Sequence, residues 1–247
     1  MPTVWMFIRV LLLGKGMPDH RQPAARGAPE PMPMTRLLIL GATGQVGRHL
    51  LRLALAHERI TAVTAPTRRP LEPHPRLLNP VVDYRALPPD APWWAADAAA
   101  CALGTTLRQA GSREAFREVD HGHVLAAARL ARAAGTPAFL LVSSMGADAR
   151  SRAFYLRVKG ETEADLRALG FASLTLVRPG MMDPGTARHD SRPAESLALR
   201  VMRAADPLLP RRWRPVPTEQ VAAALLAQAL APPPGVQVIE SERLAAP

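Results

Sequence analysis

Tyr155 and Lys159 stand four residues apart, Ser144 closes an apolar run just upstream of them, and glycines fall at positions 41, 44 and 47. The glycine string has the most specific chemistry. Leu37 to Leu40 form an uninterrupted apolar run of the kind buried on both faces of a parallel sheet, and the run leads directly into Gly41-Ala42-Thr43-Gly44-Gln45-Val46-Gly47. Gly41 permits a sharp turn, Gly44 permits close approach of backbone to a pyrophosphate, and Gly47 lets the next helix pack against its strand. Free N–H groups and the helix dipole then favour an anion. Gly41, Thr43, Gly44, Gln45, Val46 and Gly47 are therefore candidate cofactor contacts, because a strand precedes the string and Val46, Leu50, Leu51 and Ala54 follow at helical spacing.

Spacing of four puts Tyr155 and Lys159 on one helix face, one turn apart. Such a pair is common by chance. It gains specificity from Ser144, which follows an expected strand Ala138 to Val142, at the sheet edge where ligands of open α/β folds gather.

The chain has 247 residues, enough for one α/β domain with a modest appended lobe. A single cysteine, Cys101, precludes an intrachain disulfide framework and points to a reducing compartment, read here as the cytoplasm. Cys101 itself reads as a buried small hydrophobe. The net charge is +10, but the arginines are scattered and only 4% of residues are aromatic, so we expect a solvated basic surface rather than a nucleic-acid site. Seven histidines lack paired ligand spacing, His121 and His123 read as helix-surface residues, and no metal site is expected. Residues 1–33 differ from the rest. Val4 to Leu13 is apolar but interrupted by Arg9 and too short to span a membrane, and the proline-bearing tract after it reads as a disordered extension, with Met34 as the plain translation start.

The second strand is expected over Ile60 to Ala65. Beyond it a carboxylate would bond the 2′-hydroxyl of NAD, yet Arg68 and Arg69 stand there and no acid occurs before Glu72. Either arginine can pair with a 2′-phosphate, which favours NADP over NAD, unless both are simply solvated; Arg48 could add to them. A short third strand, Pro80 to Asp83, ends in a carboxylate suited to the adenine amino group or to capping the next turn. A short helix at Trp93-Trp94 precedes a fourth strand, Asp97 to Leu103, after which Gly104 and Thr105 are small enough, with Leu103, to line a cofactor. Ser112 should cap a helix running to Ala134 and stopped by Gly135.

A sixth strand, Leu174 to Val177, leads into Arg178-Pro179-Gly180-Met181-Met182. From Asp183 to Pro193 a mobile lid is expected, then a helix over Ser196 to Ala205. Arg211, Arg212 and Arg214 flank Trp213 in a basic cluster that either selects an anionic substrate or is a solvated turn. Thr218 should cap a final helix to Leu230, and Val236 to Ile239 a last strand. The lobe, roughly residues 179–217, would offer a shallow pocket suited to a small or flat carbonyl compound.

The order of these motifs resembles the short-chain dehydrogenase/reductase superfamily. The runs Cys101-Ala-Leu-Gly-Thr-Thr106, Ala110 to Asp120, Leu141 to Asp148 and Tyr155 to Glu161 are similar to its atypical, Tip30-like branch with bacterial relatives, a resemblance that covers about Thr35 to Leu244. It implies a Rossmann-type doubly wound parallel sheet with helices on both faces and a small C-terminal substrate lobe. It also implies bound NADP and catalytic positions for Ser144, Tyr155 and Lys159. In that scheme Tyr155 donates a proton to a carbonyl oxygen as hydride arrives, Lys159 lowers the tyrosine's pKa and bonds the nicotinamide ribose, and Ser144, in preference to Ser143, polarises the carbonyl. Tyr155 and Lys159 thus also count as cofactor contacts, and the loop after the sixth strand contributes Pro179 and Met181. Where many superfamily members carry a water-holding asparagine, this chain has Asp120. We expect an NADP-dependent oxidoreductase acting on a small carbonyl or quinone-like molecule, with an NADP(H)-binding regulator of a protein partner as the alternative. Related folds also pair through the helix over Ser112 to Ala134 and the one bearing Tyr155, so a homodimer is expected.

Overall fold

The structure is a computed structural model whose described residues are 34–183, 212 and 214–244, all within the unit Pro33–Pro247. In chain order the elements are β1 (Thr35–Leu40), α1 (Gln45–Ala56), β2 (Ile60–Thr64), β3 (Leu77–Leu78), a 3₁₀ turn (Pro92–Trp94), β4 (Ala98–Cys101), α2 (Leu107–Ala110) and α3 (Arg113–Arg117). A π-helical turn (Glu118–His123), α4 (Val124–Ala133), β5 (Ala138–Val142), α5 (Phe154–Ala168), β6 (Ser173–Arg178) and β7 (Met182–Asp183) follow. The chain then gives β8 (Val216–Pro217), α6 (Thr218–Leu230), β9 (Gly235–Glu240) and α7 (Ser241–Leu244).

Seven strands form one sheet in the order β3-β2-β1-β4-β5-β6-β9, every neighbouring pair parallel. Because side chains alternate across a strand, the central strands β1, β4 and β5 feed two cores. Leu37 and Ile39 of β1, Ala98 and Ala100 of β4 and Leu140 of β5 pack with Val46 and Leu50 of α1 and Val221 and Leu225 of α6. Leu38, Leu40, Ala99, Cys101, Phe139 and Leu141 face the opposite way, toward Trp94, Val124, Ala127, Ala128 and Leu166. Alanine is a weak strand former, yet Ala98–Cys101 is wholly buried at the centre of the sheet. Its small side chains leave room for helices on both faces, so packing outweighs local propensity.

Several sequence expectations shift by a few residues. The third strand lies at Leu77–Leu78 rather than over Pro80 to Asp83, where Pro80 lacks an N–H for the ladder; only the bridge Thr67 to Val81 persists there. The fourth strand is the shorter Ala98–Cys101. Ser112 caps as expected, its hydroxyl accepting from the Ala115 N–H at 3.0 Å, but the expected single helix widens into a π-helical turn between α3 and α4. Thr218 opens α6 from inside, with Pro217 at the cap position. The N-terminal extension, the helix over Ser196 to Ala205, most of the lid, Arg211 and Trp213 lie outside the described residues.

Candidate functional site

Parallel pairing brings the carboxyl ends of β1, β2, β4, β5 and β6 to one edge of the sheet, and the predicted site residues lie along that edge. At its centre is the glycine turn. Gly41 has φ of 84°, in the left-handed region, and a β-carbon there would lie 2.8 Å from the Ala102 and Leu103 backbone. At Gly47 a β-carbon would strike the Gly41 carbonyl oxygen, so α1 packs directly on the turn. Gly44 occupies the α1 N-cap, and among the described residues no side chain caps the helix and no acid occupies its first turn. Its leading N–H groups and positive dipole end are thus available to an anion.

A cavity of about 720 Å³ opens on this turn. Gly41, Thr43 and Gly44 line it together with Arg68, Asp83, Leu103, Gly104 and Thr105, so it collects eight of the predicted cofactor contacts. Tyr84, Arg85, Glu118, Val119 and His123 are also among its lining residues. Arg69 is exposed and does not line the cavity; the Thr67 hydroxyl donates to its carbonyl at 2.6 Å. Arg48, also exposed, is not part of it. Gln45, Val46 and Gly47 lie behind the turn in α1, with Val46 and Gly47 buried. Asp83 takes the capping role in its turn, its Oδ1 accepting from the Arg85 N–H at 2.9 Å. A second groove of about 260 Å³, bordered by Arg36, Ala62, Leu78 and Trp93, holds none of the predicted site residues.

Ser144, Tyr155, Lys159, Pro179 and Met181 lie beyond the cavity lining, along the same edge. The two serines separate clearly: Ser143 is buried and donates to Glu163 Oε1 at 2.6 Å, whereas among the described residues the Ser144 hydroxyl meets only the neighbouring Met145 carbonyl, at 3.3 Å. Ser144 is therefore the hydroxyl available to a ligand. The half-buried ring of Tyr155 packs against buried Phe116, centroids 5.5 Å apart. Lys159 is buried, its Nζ 2.7 Å from Asp120 Oδ1. Burial alone would push the lysine down, but Asp120, with Tyr155 also nearby, holds its pKa above the ordinary lysine value. The Asp120 carboxylate is thus an ion-pair partner here, and its other oxygen accepts from the Thr105 N–H at 2.8 Å.

Sequence reasoning missed three supporting residues. Glu163 follows Lys159 by one further helical turn, and that spacing was the available signal. Buried Glu163 takes Ser143 on Oε1 and Arg178 Nη2 on Oε2 at 2.6 Å, while Arg178 Nη1 reaches Glu240 at 3.1 Å. This network ties β5, α5, β6 and β9 together beneath the site, and its hydrogen bonds to Glu163 hold Arg178 above the usual arginine range. Tyr84 is the third. Its hydroxyl donates to the Pro66 carbonyl at 2.9 Å, and burial pushes its pKa upward. Burial likewise pushes the Cys101 thiol up to about 12, consistent with an inert core cysteine.

His121 and His123 are half-buried rather than surface residues. His123 packs on Tyr84, centroids 5.7 Å apart, and burial lowers its pKa despite Glu118 at 3.8 Å. The unfolded chain therefore binds this proton more readily. Stability should be complete above the unfolded histidine value, about 6.5, and decline as the pH falls below it. Urea unfolding at a series of pH values should show this decline, with a smaller slope in His123→Gln; an unchanged slope would remove His123 as its source.

An open parallel sheet with a glycine turn at an uncapped helix start, flanked by a cavity of this size, defines a Rossmann-type nucleotide-binding protein of the short-chain dehydrogenase/reductase class. The chain belongs to the NAD(P)H-binding family, which matches residues 41–232, and within the superfamily to the atypical, Tip30-like branch. Protein HTATIP2 of Rattus norvegicus is 37% identical over 217 residues, covering 84% of this chain and 87% of the relative. Protein fmp52, mitochondrial, of Emericella nidulans is 35% identical over 175 residues, covering 67% and 73%. The structure of MoeE5 in complex with UDP-glucose and NAD aligns with a TM-score of 0.63 at 18% identity, covering 82% of this chain and 74% of that one, a likeness of fold alone. The fungal relatives overturn the expected cytoplasmic location, since they are named mitochondrial proteins. A lone cysteine separates reducing from oxidising surroundings but cannot tell one reducing compartment from another.

Proposed function

We propose that this protein is an NADP-dependent oxidoreductase that transfers hydride between NADP(H) and a small carbonyl or quinone-like substrate. The observation that carries this reading is the cavity, which joins the glycine turn and the uncapped start of α1 to Arg68 and to Gly104, behind which Lys159 lies. The site residues fit such a cofactor: N–H groups of the turn would hold the pyrophosphate, and Arg68 the 2′-phosphate. Bound cofactor supplies a hydride from C4 of its nicotinamide. Tyr155 holds a proton on its phenolic oxygen and passes it to the carbonyl oxygen, so that one hydride and one proton convert the carbonyl to an alcohol. Ser144 would donate a hydrogen bond to the same oxygen, and Lys159 would donate to the nicotinamide ribose. Pro179 and Met181 border the substrate side.

One observation favours a second reading, an NADP(H)-binding regulator that acts through a protein partner. Asp120 neutralises Lys159, which weakens the charge that would assist Tyr155.

Calorimetric titration with NADPH and NADH, followed by an NADPH-consumption assay across carbonyls and quinones, distinguishes the two. NADPH should bind at least about tenfold tighter than NADH, and Arg68→Ala should remove most of that preference, as expected for loss of a charge-assisted bond worth about 1.5–3 kcal/mol. Equal affinities for both nucleotides would refute the NADP assignment, and tight binding without turnover would favour the regulator.

A further inference from the structure

Asp120 is fully buried, on the π-helical turn, and its carboxylate ties that turn to two others, α5 and the segment after β4. Oδ1 meets Lys159 Nζ on α5 at 2.7 Å, and Oδ2 accepts from the Thr105 N–H, after β4, at 2.8 Å. Its backbone carbonyl accepts from the Thr162 hydroxyl, on α5, at 3.1 Å. Between these partners lies Gly104, a lining residue of the cavity. A β-carbon there would sit 3.3 Å from Asp120 Oδ1 and 3.6 Å from Lys159 Nζ, so the ion pair lies immediately under the cavity floor. A π turn is a local departure from α-helical phase, and such turns recur at functional sites.

We infer that Asp120 is a positioning residue that fixes the Lys159 ammonium beneath the Gly104-Thr105 turn, so that the lysine meets a nucleotide as half of an ion pair. The inference rests on the nucleotide-binding reading above and adds a role for the carboxylate. A water-holding asparagine at this position would leave the lysine a free cation, whereas Asp120 forms an ion pair with it and anchors the turn with the same side chain. Among the described residues, the charged and titratable groups near Lys159 are Asp120, Tyr155 on its own helix and Cys101 on β4. The thiol is held at about 12 and does not titrate near neutrality.

Asp120→Asn tests this, because the amide oxygen can still accept from Thr105 while the negative charge is lost. A buried lysine without its counter-ion deprotonates at lower pH. NADPH affinity of the wild-type protein should stay flat between about pH 7.5 and 9.5, a window above the titration of free histidine and below that of free lysine. In Asp120→Asn it should fall about tenfold across that window, as the charge-assisted bond from Lys159 is lost. A role limited to fold stability would change affinity by one factor at every pH, and that result, like an unchanged affinity, would overturn the inference. Should Asp120→Asn fail to fold by circular dichroism, the ¹³Cε resonance of Lys159 in the wild-type protein decides, assigned by its loss in Lys159→Arg. Titration above about pH 10.4, the ordinary lysine value, supports the pair, and titration below it refutes it. Wild-type protein that binds neither NADPH nor NADH would bring down the nucleotide reading itself, and the inference with it. Binding without the pH slope in Asp120→Asn removes the inference alone.

Discussion

Tyr155→Phe should lower kcat by about 10²–10⁴-fold, the range expected for loss of a general acid, while NADPH affinity stays within about twofold. The substitution is informative because of where the ring sits. Half-buried, it packs against Phe116 with centroids 5.5 Å apart, and phenylalanine keeps that contact while removing only the hydroxyl. Stability should therefore change little, and a loss of turnover can be assigned to the missing proton donor. Stopped-flow measurement of NADPH oxidation on the best substrate of the panel, beside calorimetric binding of NADPH, provides both quantities. Turnover at the wild-type rate would eliminate Tyr155 as the acid and leave Ser144 as the polar group nearest the reaction.

Gly47→Ala should abolish most nucleotide binding and cost about 3 kcal/mol of stability, at the upper end of ordinary overpacking effects. Helix propensity alone argues the other way, since alanine in a helix interior gains about 1 kcal/mol over glycine. Sterics decide the sign. The new β-carbon would strike the Gly41 carbonyl oxygen, with Gly41 C at 2.8 Å and Ala42 Cα at 2.9 Å, and every one of these atoms is backbone that no rotamer change can clear. The turn has no room to retreat, because Gly41 itself lies against the Ala102 and Leu103 backbone. Either α1 separates from β1 or the turn that would hold the pyrophosphate deforms. Thermal unfolding should show a fall of about 6–12 °C in Tm, and titration well below that temperature should show at least a tenfold weaker NADPH affinity, or about 1.4 kcal/mol. Unaltered affinity in a folded variant would mean the turn is not the phosphate site.

The two substitutions probe different levels of the molecule. Gly47 was legible in the sequence because a local requirement, the close approach of a helix to its own strand, leaves a local signature. Tyr155 and Lys159 were legible as a spacing, but what surrounds them was not. Glu163 looked like any helix-surface acid until β5 and β6 brought Ser143 and Arg178 to it. Arg178, at the end of an apolar strand, carried no mark of its pairing with Glu240 across to β9. Part of the cavity lining depended on the same kind of long-range contact, with Tyr84 and His123 meeting from segments far apart in the chain. The third strand was misplaced because a two-residue strand has no periodicity to read, and the π-helical turn was missed because its extra residue leaves the apolar spacing of Phe116, Val124 and Ala127 nearly intact.

By itself the sequence determined the parallel α/β fold, the glycine turn and the spacing of Tyr155 and Lys159, since each is encoded by residues near one another and by backbone or periodic constraints that act locally. Only the tertiary structure decided that Arg68 rather than Arg69 lines the cavity, that Ser144 rather than Ser143 keeps its hydroxyl available, and that Asp120 binds Lys159 directly. Those choices turn on hydrogen bonds and ion pairs between segments that the sheet brings together at its carboxyl edge, and a buried polar group takes the partner that folding places within reach.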